Sequence, residues 1–249
     1  MTGHINEDIF SYDIKRFQKF HSELGFIKER ITESLGDLYG VHWPFKQHKT
    51  SRNIKKLPHH ESLKSFGACF GVSGGYERPM WFALDGEKSE YEYSYNYQNW
   101  YPSAEYETNN TIKNVGLFDL TPFSKFEIFS EKAHEELQKI CTANIKDEIG
   151  KCTYTQMLNS DGGIEADLTV VCLDKNHYRI ISSAATRERD KFHIKKHLSK
   201  EIQLKDVTDD YCVFGLFGPK SRELIKSLSD DNFENKNTIN QEITNTNPR

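Results

Sequence analysis

The spacing of apolar residues changes along the chain and divides it into three stretches. From 13 to about 63, apolar residues recur every three or four positions and end before Gly40, which predicts an amphipathic helix with a glycine stop. Those positions are Ile27, Ile31, Leu35 and Leu38. Between 67 and 101, glycine and aromatic residues dominate, which predicts irregular structure. From 111 onward, short apolar runs alternate with helical patterns, which predicts an α+β fold rather than a parallel doubly wound sheet.

The third stretch predicts individual strands and helices and one hairpin. Strands are expected at 125–129, 178–182 and 212–217, and helices at 131–142, 186–198 and 220–228. The hairpin is centred on Gly162, where Asp161 and two adjacent glycines are expected to supply the positive φ angles of a tight turn. The apolar run after Asp167 supplies the second strand. The pattern therefore holds one carboxylate, Asp167, on a rigid element.

The composition is poor in core-forming residues for a chain of this length. Hydrophobic residues make up 36% of the 249 residues and the mean hydropathy is −0.72, so part of the apolar surface is expected to pack against a partner. The formal net charge of −4 gives no overall attraction to nucleic acid or to an anionic membrane. No secretory leader or long apolar run is apparent, so we expect a soluble protein of the cytoplasm, or of the mitochondrial matrix if the source is eukaryotic.

The cysteines and histidines predict neither a disulfide framework nor a metal site. The cysteines form no CxxC pair and are expected to be buried free thiols. They are Cys69, Cys141, Cys152, Cys172 and Cys212. The N-terminal histidines follow no HExxH or facial-triad spacing, so surface or packing roles are expected for them. They are His42, His48, His59 and His60.

Three motifs of the third stretch resemble one known family. They are the hairpin Tyr154–Val171, the run Gly116–Lys125 and the sequence Phe217-Gly218-Pro219. Together they resemble the tetrahydrofolate-binding aminomethyltransferase fold of the glycine-cleavage T-protein. The resemblance implies that this fold is present in an incomplete form, after an N-terminal helical junction segment, because the family continues beyond its Leu-x-Gly-Pro motif with a further folate-contacting segment and a barrel domain.

Residues of the first two stretches narrow the resemblance. Asp37–Phe45, Gly67–Gly71 and Glu77–Phe82 are similar to the junction between the flavin-dependent half and the folate-binding half of dimethylglycine and sarcosine dehydrogenases. Three parts are therefore expected. These are a junction segment at 1–105 that resembles the end of the flavin-oxidoreductase half, a folate-binding aminomethyltransferase-like domain at 106–230, and, from its polar composition, a disordered tail at 231–249.

The resemblance also implies the site. The essential acid of the family falls at Asp167, whereas Glu165 matches no catalytic position and no partner is expected for it. Folate contacts are implied for Phe123, Tyr154, Thr169 and Ser183, the last of which stands where the T-protein pattern has an asparagine. No metal is implied. Asp119 is expected to hydrogen-bond the turn at Thr121, a structural role.

The function that the resemblance implies is transfer of a one-carbon unit from an aminomethyl or iminium group to tetrahydrofolate. Folate is the implied ligand and a separately encoded flavin-dependent subunit the implied partner, with neither nucleic acid nor membrane involved. The alternative is a truncated, non-catalytic remnant or a partner-binding fragment of such an enzyme.

We predict that this chain binds no flavin. Dinucleotide-binding folds hold the pyrophosphate with a strand, a GxGxxG turn and a helix, but the nearest glycine cluster, 71–75, is followed closely by Pro79, which disfavours a helix there. The purified chain should therefore show no absorbance band near about 450 nm, where a bound flavin absorbs. A stoichiometric band at that wavelength would contradict the prediction.

Overall fold

The computed structural model describes residues 12–43, 46–231 and 233. The helices are α1 (Leu24–Asp37), α2 (His60–Ser65), α3 (Tyr101–Lys113), α4 (Ala133–Ile140), α5 (Arg187–His197) and α6 (Ser221–Lys226). The strands are β1 (Ala68–Ser73), β2 (Tyr76–Phe82), β3 (Gly116–Asp119), β4 (Ser124–Phe129), β5 (Cys152–Leu158), β6 (Ile164–Asp174), β7 (His177–Ser182), β8 (Leu204–Asp206) and β9 (Phe214–Phe217). Among the described residues, short 3-10 helices span Ile14–Arg16, Lys19–Ser22 and Thr208–Asp210.

The described residues fall into two compact units. Unit 1 contains 12–16, 122–211, 229–231 and 233, and unit 2 contains 17–43, 46–121 and 212–228. The predicted division into 1–105, 106–230 and 231–249 stays a proposal. The residues at 105 and 106 lie within α3, and of the predicted tail only Asp231 and Phe233 are described.

Unit 1 is built on a five-stranded antiparallel sheet with the strand order β5-β6-β7-β4-β8. Alternate residues of β6 are buried at Ala166, Leu168 and Val170, as expected for a strand with one face in a core. The same core contains Leu137 from α4 and Ile194 from α5. The two helices therefore cover one face of the sheet. They also stabilise it, because burial of each such leucine or isoleucine contributes about 1.5–3 kcal/mol.

The predicted hairpin is confirmed, but its turn is built differently. Strands β5 and β6 pair in antiparallel register, with Gln156 opposite Asp167. Gly162 has a φ of 82°, and Asp161 and Gly163 do not share its positive φ. Asn159 closes the turn instead, because its Oδ1 accepts hydrogen bonds from the backbone N–H of Asp161 at 3.0 Å and of Gly163 at 2.8 Å.

Unit 2 departs from the sequence prediction in two places. The stretch 67–101 is not irregular throughout, because β1 and β2 form a hairpin whose turn contains Gly74 and Gly75, both with positive φ. Helix α3 was not predicted, because its sequence is polar and carries Pro102, which the first turn of a helix tolerates. In the described part of 13–63, the helical pattern is realised as two short 3-10 helices, α1 and the start of α2 rather than as one continuous helix.

The structure also shows the environment of the cysteines and the length of the apolar helices. Four cysteines are buried and lie outside any disulfide, as expected, whereas Cys212 is exposed, so that part of the prediction is wrong. None of the helices in the described part of the chain is long and apolar enough to cross a lipid bilayer.

A buried ion pair lies within unit 2. Glu77 of β2 is 2% exposed, and its carboxylate accepts hydrogen bonds from Arg52 Nε at 2.7 Å and from Arg52 Nη2 at 2.6 Å. The backbone N–H of Asn53 donates to the same carboxylate at 2.7 Å. Burial by itself raises the pKa of this acid, but the hydrogen bonds and the positive charge of Arg52 outweigh it and lower the pKa of Glu77. The pair therefore keeps both charges at neutral pH.

Replacing Glu77 by glutamine should lower the free energy of unfolding by about 3 kcal/mol. This is the low end of the range for a broken buried pair, because Arg52 is still partly exposed. Since the folded pKa of Glu77 is lowered, its contribution to stability is complete above the unfolded pKa and is lost as the pH falls through the folded value. Urea unfolding of both proteins at about pH 7 and about pH 3 should therefore show a smaller difference in acid.

The matched control is Glu61→Gln, which removes a carboxylate whose 2.9 Å pair with Lys56 is solvent-exposed. Its effect should lie within experimental error. An equal loss of stability in both variants would show that burial of the Arg52–Glu77 pair has no special weight.

Candidate functional site

The sheet face opposite α4 and α5 carries the predicted site. Because side chains alternate along a strand, Asp167 and Thr169 of β6 point away from the core that contains Leu168. Tyr154 of β5 lies directly opposite Thr169 and therefore on the same face. The structure thus places three of the five predicted site residues on one surface of one hairpin.

Asp167 and Tyr154 are joined by a short hydrogen bond. The hydroxyl of Tyr154 donates to Oδ2 of Asp167 at 2.6 Å, a length typical of a hydroxyl bound to a carboxylate. The two side chains meet diagonally across the strand pair, because Asp167 itself lies opposite Gln156. The bond and the adjacent negative charge raise the pKa of Tyr154, since an ionised phenol would lose the bond and repel the carboxylate.

The second oxygen of Asp167 has a different environment. Oδ1 makes no hydrogen bond to any of the described residues, and Asp167 is an exposed residue. Tyr154 is 54% exposed beside it. One oxygen of the carboxylate is therefore fixed by the fold while the other is accessible to a ligand.

Phe123 and Ser183 lie just beyond the ends of β4 and β7. Ser182 pairs with Ser124, so continuing that register by one residue places Ser183 opposite Phe123. The hydroxyl of Ser124 donates to the backbone carbonyl of Ser183 at 3.0 Å, and the Ser183 hydroxyl accepts from the N–H of Ala185 at 3.3 Å. Phe123 is 39% exposed. The register of β6 and β7, continued in the same way, brings Ser183 to the row of Asp167.

The expectation that Glu165 has no partner is wrong. Asn159 donates to its carboxylate at 3.3 Å, and the guanidinium of Arg189 donates to its backbone carbonyl and lies 4.0 Å from its Oε2. Glu165 thus connects the hairpin turn to α5. The carboxylates of Glu165 and Asp167 therefore have different surroundings. Of the two, the carboxylate of Asp167 is the one that is accessible to a ligand.

Sequence reasoning missed the other charged residues of this face. Lys125 is 1% exposed, and its ammonium donates to the carbonyls of Phe123 at 2.9 Å and Thr208 at 3.2 Å. Arg179 pairs with Glu127 at 2.6 Å, and the Arg179 guanidinium lies 4.0 Å from the ring centroid of Tyr211. The sequence did contain a signal for these residues. Lys125 and Glu127 lie two positions apart on a predicted strand, so their side chains are expected on the same face.

Asp119 and the cluster of Glu33, Asp37 and His48 belong to unit 2. The carboxylate of Asp119 accepts the N–H of Thr121 at 2.9 Å, which confirms its predicted structural role. Glu33, Asp37 and His48 have ligand atoms within 4.8 Å of one another, but Glu33 already accepts three hydrogen bonds and Asp37 pairs with a lysine at 2.6 Å. Because these oxygens are already occupied, the cluster gives no support for a metal site.

Two family profiles match the sequence. The profile described as the GCVT N-terminal domain matches residues 59–245, and the profile described as the FAD dependent oxidoreductase central domain matches residues 2–56. The solved structure of the glycine cleavage system aminomethyltransferase T from Bartonella henselae superposes with a TM-score of 0.58 at 22% identity, over 70% of this chain and 44% of that one. The predicted α+β aminomethyltransferase fold is therefore confirmed, over part of that structure.

Curated relatives are longer proteins. The chain is 35% identical to 4-methylaminobutanoate oxidase (formaldehyde-forming) of Paenarthrobacter nicotinovorans, over 95% of this chain and 29% of the relative. It is 27% identical to sarcosine dehydrogenase of Homo sapiens, over 94% of this chain and 30% of the relative. It is 28% identical to the pyruvate dehydrogenase phosphatase regulatory subunit of Mus musculus, over 91% of this chain and 27% of the relative. The chain thus spans less than a third of the length of these relatives.

Replacing Asp167 by asparagine should shift the titration of Tyr154 to lower pH, because the variant removes the negative charge that disfavours the ionised phenol. Titration of the Tyr154 ring followed by NMR measures the change. The control is Asp161→Asn, which removes the same charge from the exposed turn of the same hairpin and should leave Tyr154 unchanged. Identical titrations in all three proteins would mean that the hydrogen bond does not persist in solution.

Proposed function

Because this chain belongs to the GCVT N-terminal domain family, we propose that it is the folate-binding, one-carbon transfer part of an enzyme that oxidises N-methyl amines. The observation that carries the proposal is the state of Asp167, an exposed carboxylate with one oxygen held by Tyr154 at 2.6 Å. The names of the oxidase and dehydrogenase relatives support the amine class.

The residues of this face fit a folate. A pterin is a flat ring with polar edges, so it needs an apolar or aromatic surface together with hydrogen-bonding groups. Phe123 and Tyr154 offer exposed aromatic surface, and Thr169 and Ser183 offer hydroxyls at neighbouring positions of the sheet. Asp167 adds an acceptor for an N–H group. We assign these five residues to folate binding.

Tetrahydrofolate, when bound, supplies the amine nucleophile that accepts a one-carbon unit. Asp167 is assigned the role of general base: its Oδ1 accepts a hydrogen bond from the attacking amine and then takes up its proton. The negative charge of Asp167 also stabilises an adjacent iminium cation. Tyr154 positions the carboxylate by holding Oδ2, so that the open oxygen keeps one orientation.

Oxidation of the amine is assigned to a flavin-containing part outside this chain. The relatives extend well beyond the matched region, and the match to a central domain of FAD-dependent oxidoreductases at residues 2–56 supports a junction with such a part. A separate flavin-dependent subunit would meet the same requirement. The glycine cluster at 71–75 comprises the end of β1 and the turn into β2 rather than a strand–turn–helix unit, so it has no helix N-terminus for a pyrophosphate.

A second candidate function is a non-catalytic, regulatory one. One relative is named as a regulatory subunit of a phosphatase, at an identity similar to that of sarcosine dehydrogenase. A chain of this kind would keep the fold and bind a partner or folate without transferring a one-carbon unit. The two candidates differ in whether Asp167 is needed for chemistry.

Replacing Asp167 by asparagine should preserve the fold, because the two side chains are nearly isosteric, and should abolish transfer. Loss of one charge-assisted hydrogen bond should weaken tetrahydrofolate by about 1.5–3 kcal/mol, which is roughly tenfold or more in Kd. Calorimetric titration of tetrahydrofolate gives the affinity. Formation of methylene-tetrahydrofolate from formaldehyde and tetrahydrofolate gives a readout of the one-carbon chemistry.

Asp161→Asn serves as the control for charge alone and should match the wild type in both measurements. Glu165→Gln is unsuitable, because Glu165 connects Asn159 and Arg189. Binding of folate by all three proteins with equal affinity would contradict the assignment of Asp167. Folate binding without any acceleration of methylene-tetrahydrofolate formation by the wild type would favour the regulatory candidate.

A further inference from the structure

Unit 2 contains a pocket that the proposed function does not use. Its volume is about 570 Å³, within the range of sites for small organic ligands. All of its lining residues come from the segments 47–53, 60–70, 77 and 89–93, and so belong to unit 2. The pocket is therefore separate in sequence and in residues from the face that carries Asp167.

His60 lies in the lining of this pocket and has an unsatisfied ring nitrogen. The residue is 5% exposed, and its Nδ1 is buried without a hydrogen-bond partner among the described residues. The ring packs on Phe70 with 4.0 Å between centroids and 30° between planes, which fixes its orientation. Buried polar atoms in native proteins are nearly always hydrogen-bonded, so His60 is an exception in the lining of the pocket and keeps unused hydrogen-bonding capacity.

Arg52 and Glu77 also line the pocket, and both are already satisfied within the fold. Arg52 donates to both oxygens of Glu77, to the carbonyl of Phe70 at 3.0 Å and to the carbonyl of His48 at 3.2 Å. Glu77 also accepts the N–H of Asn53 at 2.7 Å. This ion pair is therefore neutral overall and engaged within the fold, whereas His60 is a buried lining residue with a ring nitrogen that has no partner among the described residues.

The remaining charges favour an anion. Lys49 and Lys64 are exposed lining residues, against one carboxylate at Glu90. Burial and the nearby Lys56 lower the pKa of His60, so its imidazole is neutral at neutral pH and carries one N–H. A neutral imidazole can donate one hydrogen bond to a carboxylate, and the two exposed ammonium groups of the lining favour a negatively charged ligand.

The walls of the pocket are aromatic. Tyr91 and Tyr93 lie parallel, with 5.6 Å between ring centroids and 5° between planes, and both line the pocket with Phe70. Flat rings of this kind bury a planar apolar group well. The shape and the charges thus select a ligand with one anionic end and one flat apolar end.

We propose that this pocket binds a small planar carboxylate, with the N–H of His60 donating to the carboxylate and Lys64 providing the main electrostatic attraction. The flat body of the ligand packs between Phe70 and the two tyrosines. The site is independent of the folate proposal, because no residue is shared between the two.

The test uses benzoate as the probe, with benzamide as its uncharged isostere and benzylamine as its cationic counterpart, in calorimetric titrations of the whole chain. Benzoate should bind with 1:1 stoichiometry and the other two at least tenfold more weakly. His60→Phe keeps the stacked ring but removes the nitrogen, and should weaken benzoate at least tenfold. Lys64→Gln, at an exposed position, should weaken it several-fold.

The matched control is His59→Phe. His59 also has a buried ring nitrogen, Nε2, without a partner in the described part of the chain, but it does not line the pocket and its ring contacts Phe214 instead. This variant should bind benzoate like the wild type, and so should Asp167→Asn.

Three results would overturn the proposal: no saturable binding of benzoate to the wild type, equal affinity in His60→Phe and His59→Phe, or preferential binding of benzylamine. If His60→Phe does not fold, as judged by circular dichroism, the ring nitrogens of His60 are followed by NMR in the wild type. Their resonances should shift on addition of benzoate, and unchanged resonances would equally refute the assignment.

Discussion

Burial of one face of the β5-β6-β7-β4-β8 sheet is the constraint on which unit 1 depends. The core that forms on this face combines strand residues such as Phe126 and Ile180 with Leu137 of α4 and Ile194 of α5, all of them fully buried. Because side chains alternate along each strand, burying these residues forces their neighbours to the opposite face. A slip of one residue in β6 would place Asp167 in the core and Leu168 outside it. The packing of the core therefore sets the position of the candidate catalytic acid.

Hydrogen-bond partners then distinguish the carboxylates that this alternation places together. Glu165 and Asp167 are two residues apart on one strand and share a face, yet Glu165 joins the turn to α5 through Asn159 and Arg189. Asp167 keeps one oxygen open, with the other held by Tyr154. A polar group whose hydrogen bonds are all made within the fold contributes to structure. A group that is held in place but has hydrogen-bonding capacity left can act on a ligand.

The same distinction applies in unit 2. Arg52 and Glu77 have the larger charges, but their donors and acceptors are engaged with each other and with the backbone, so the pair stabilises the fold. His60 lies close to them, is neutral, and has a buried nitrogen without a partner among the described residues. His60, although uncharged, is therefore the better candidate for ligand recognition, because its hydrogen-bonding capacity is not used up among the described residues.

Local sequence was sufficient to predict a structural feature where the residues that form it lie close together in the chain. The hairpin around Gly162 and the hydrogen bond that the N–H of Thr121 donates to Asp119 involve residues a few positions apart, so turn residues and alternation predicted them. The motifs of the third stretch also identified the family and its fold. The position of Asp167 on a strand followed from the same pattern, although its role stays a proposal.

Tertiary structure decided the features that depend on distant residues. The pairing of Arg52 with Glu77 joins residues 25 positions apart, and Lys125 bonds to Thr208 across 83 positions. Nothing in the local pattern of either residue specifies its partner. The β1–β2 hairpin and α3 were missed for a related reason, since their sequences lack a clear period and contacts made within unit 2 override weak local propensity. The sequence by itself thus determined the hairpin and its acid, whereas only the fold decided which polar groups are satisfied and which remain open to a ligand.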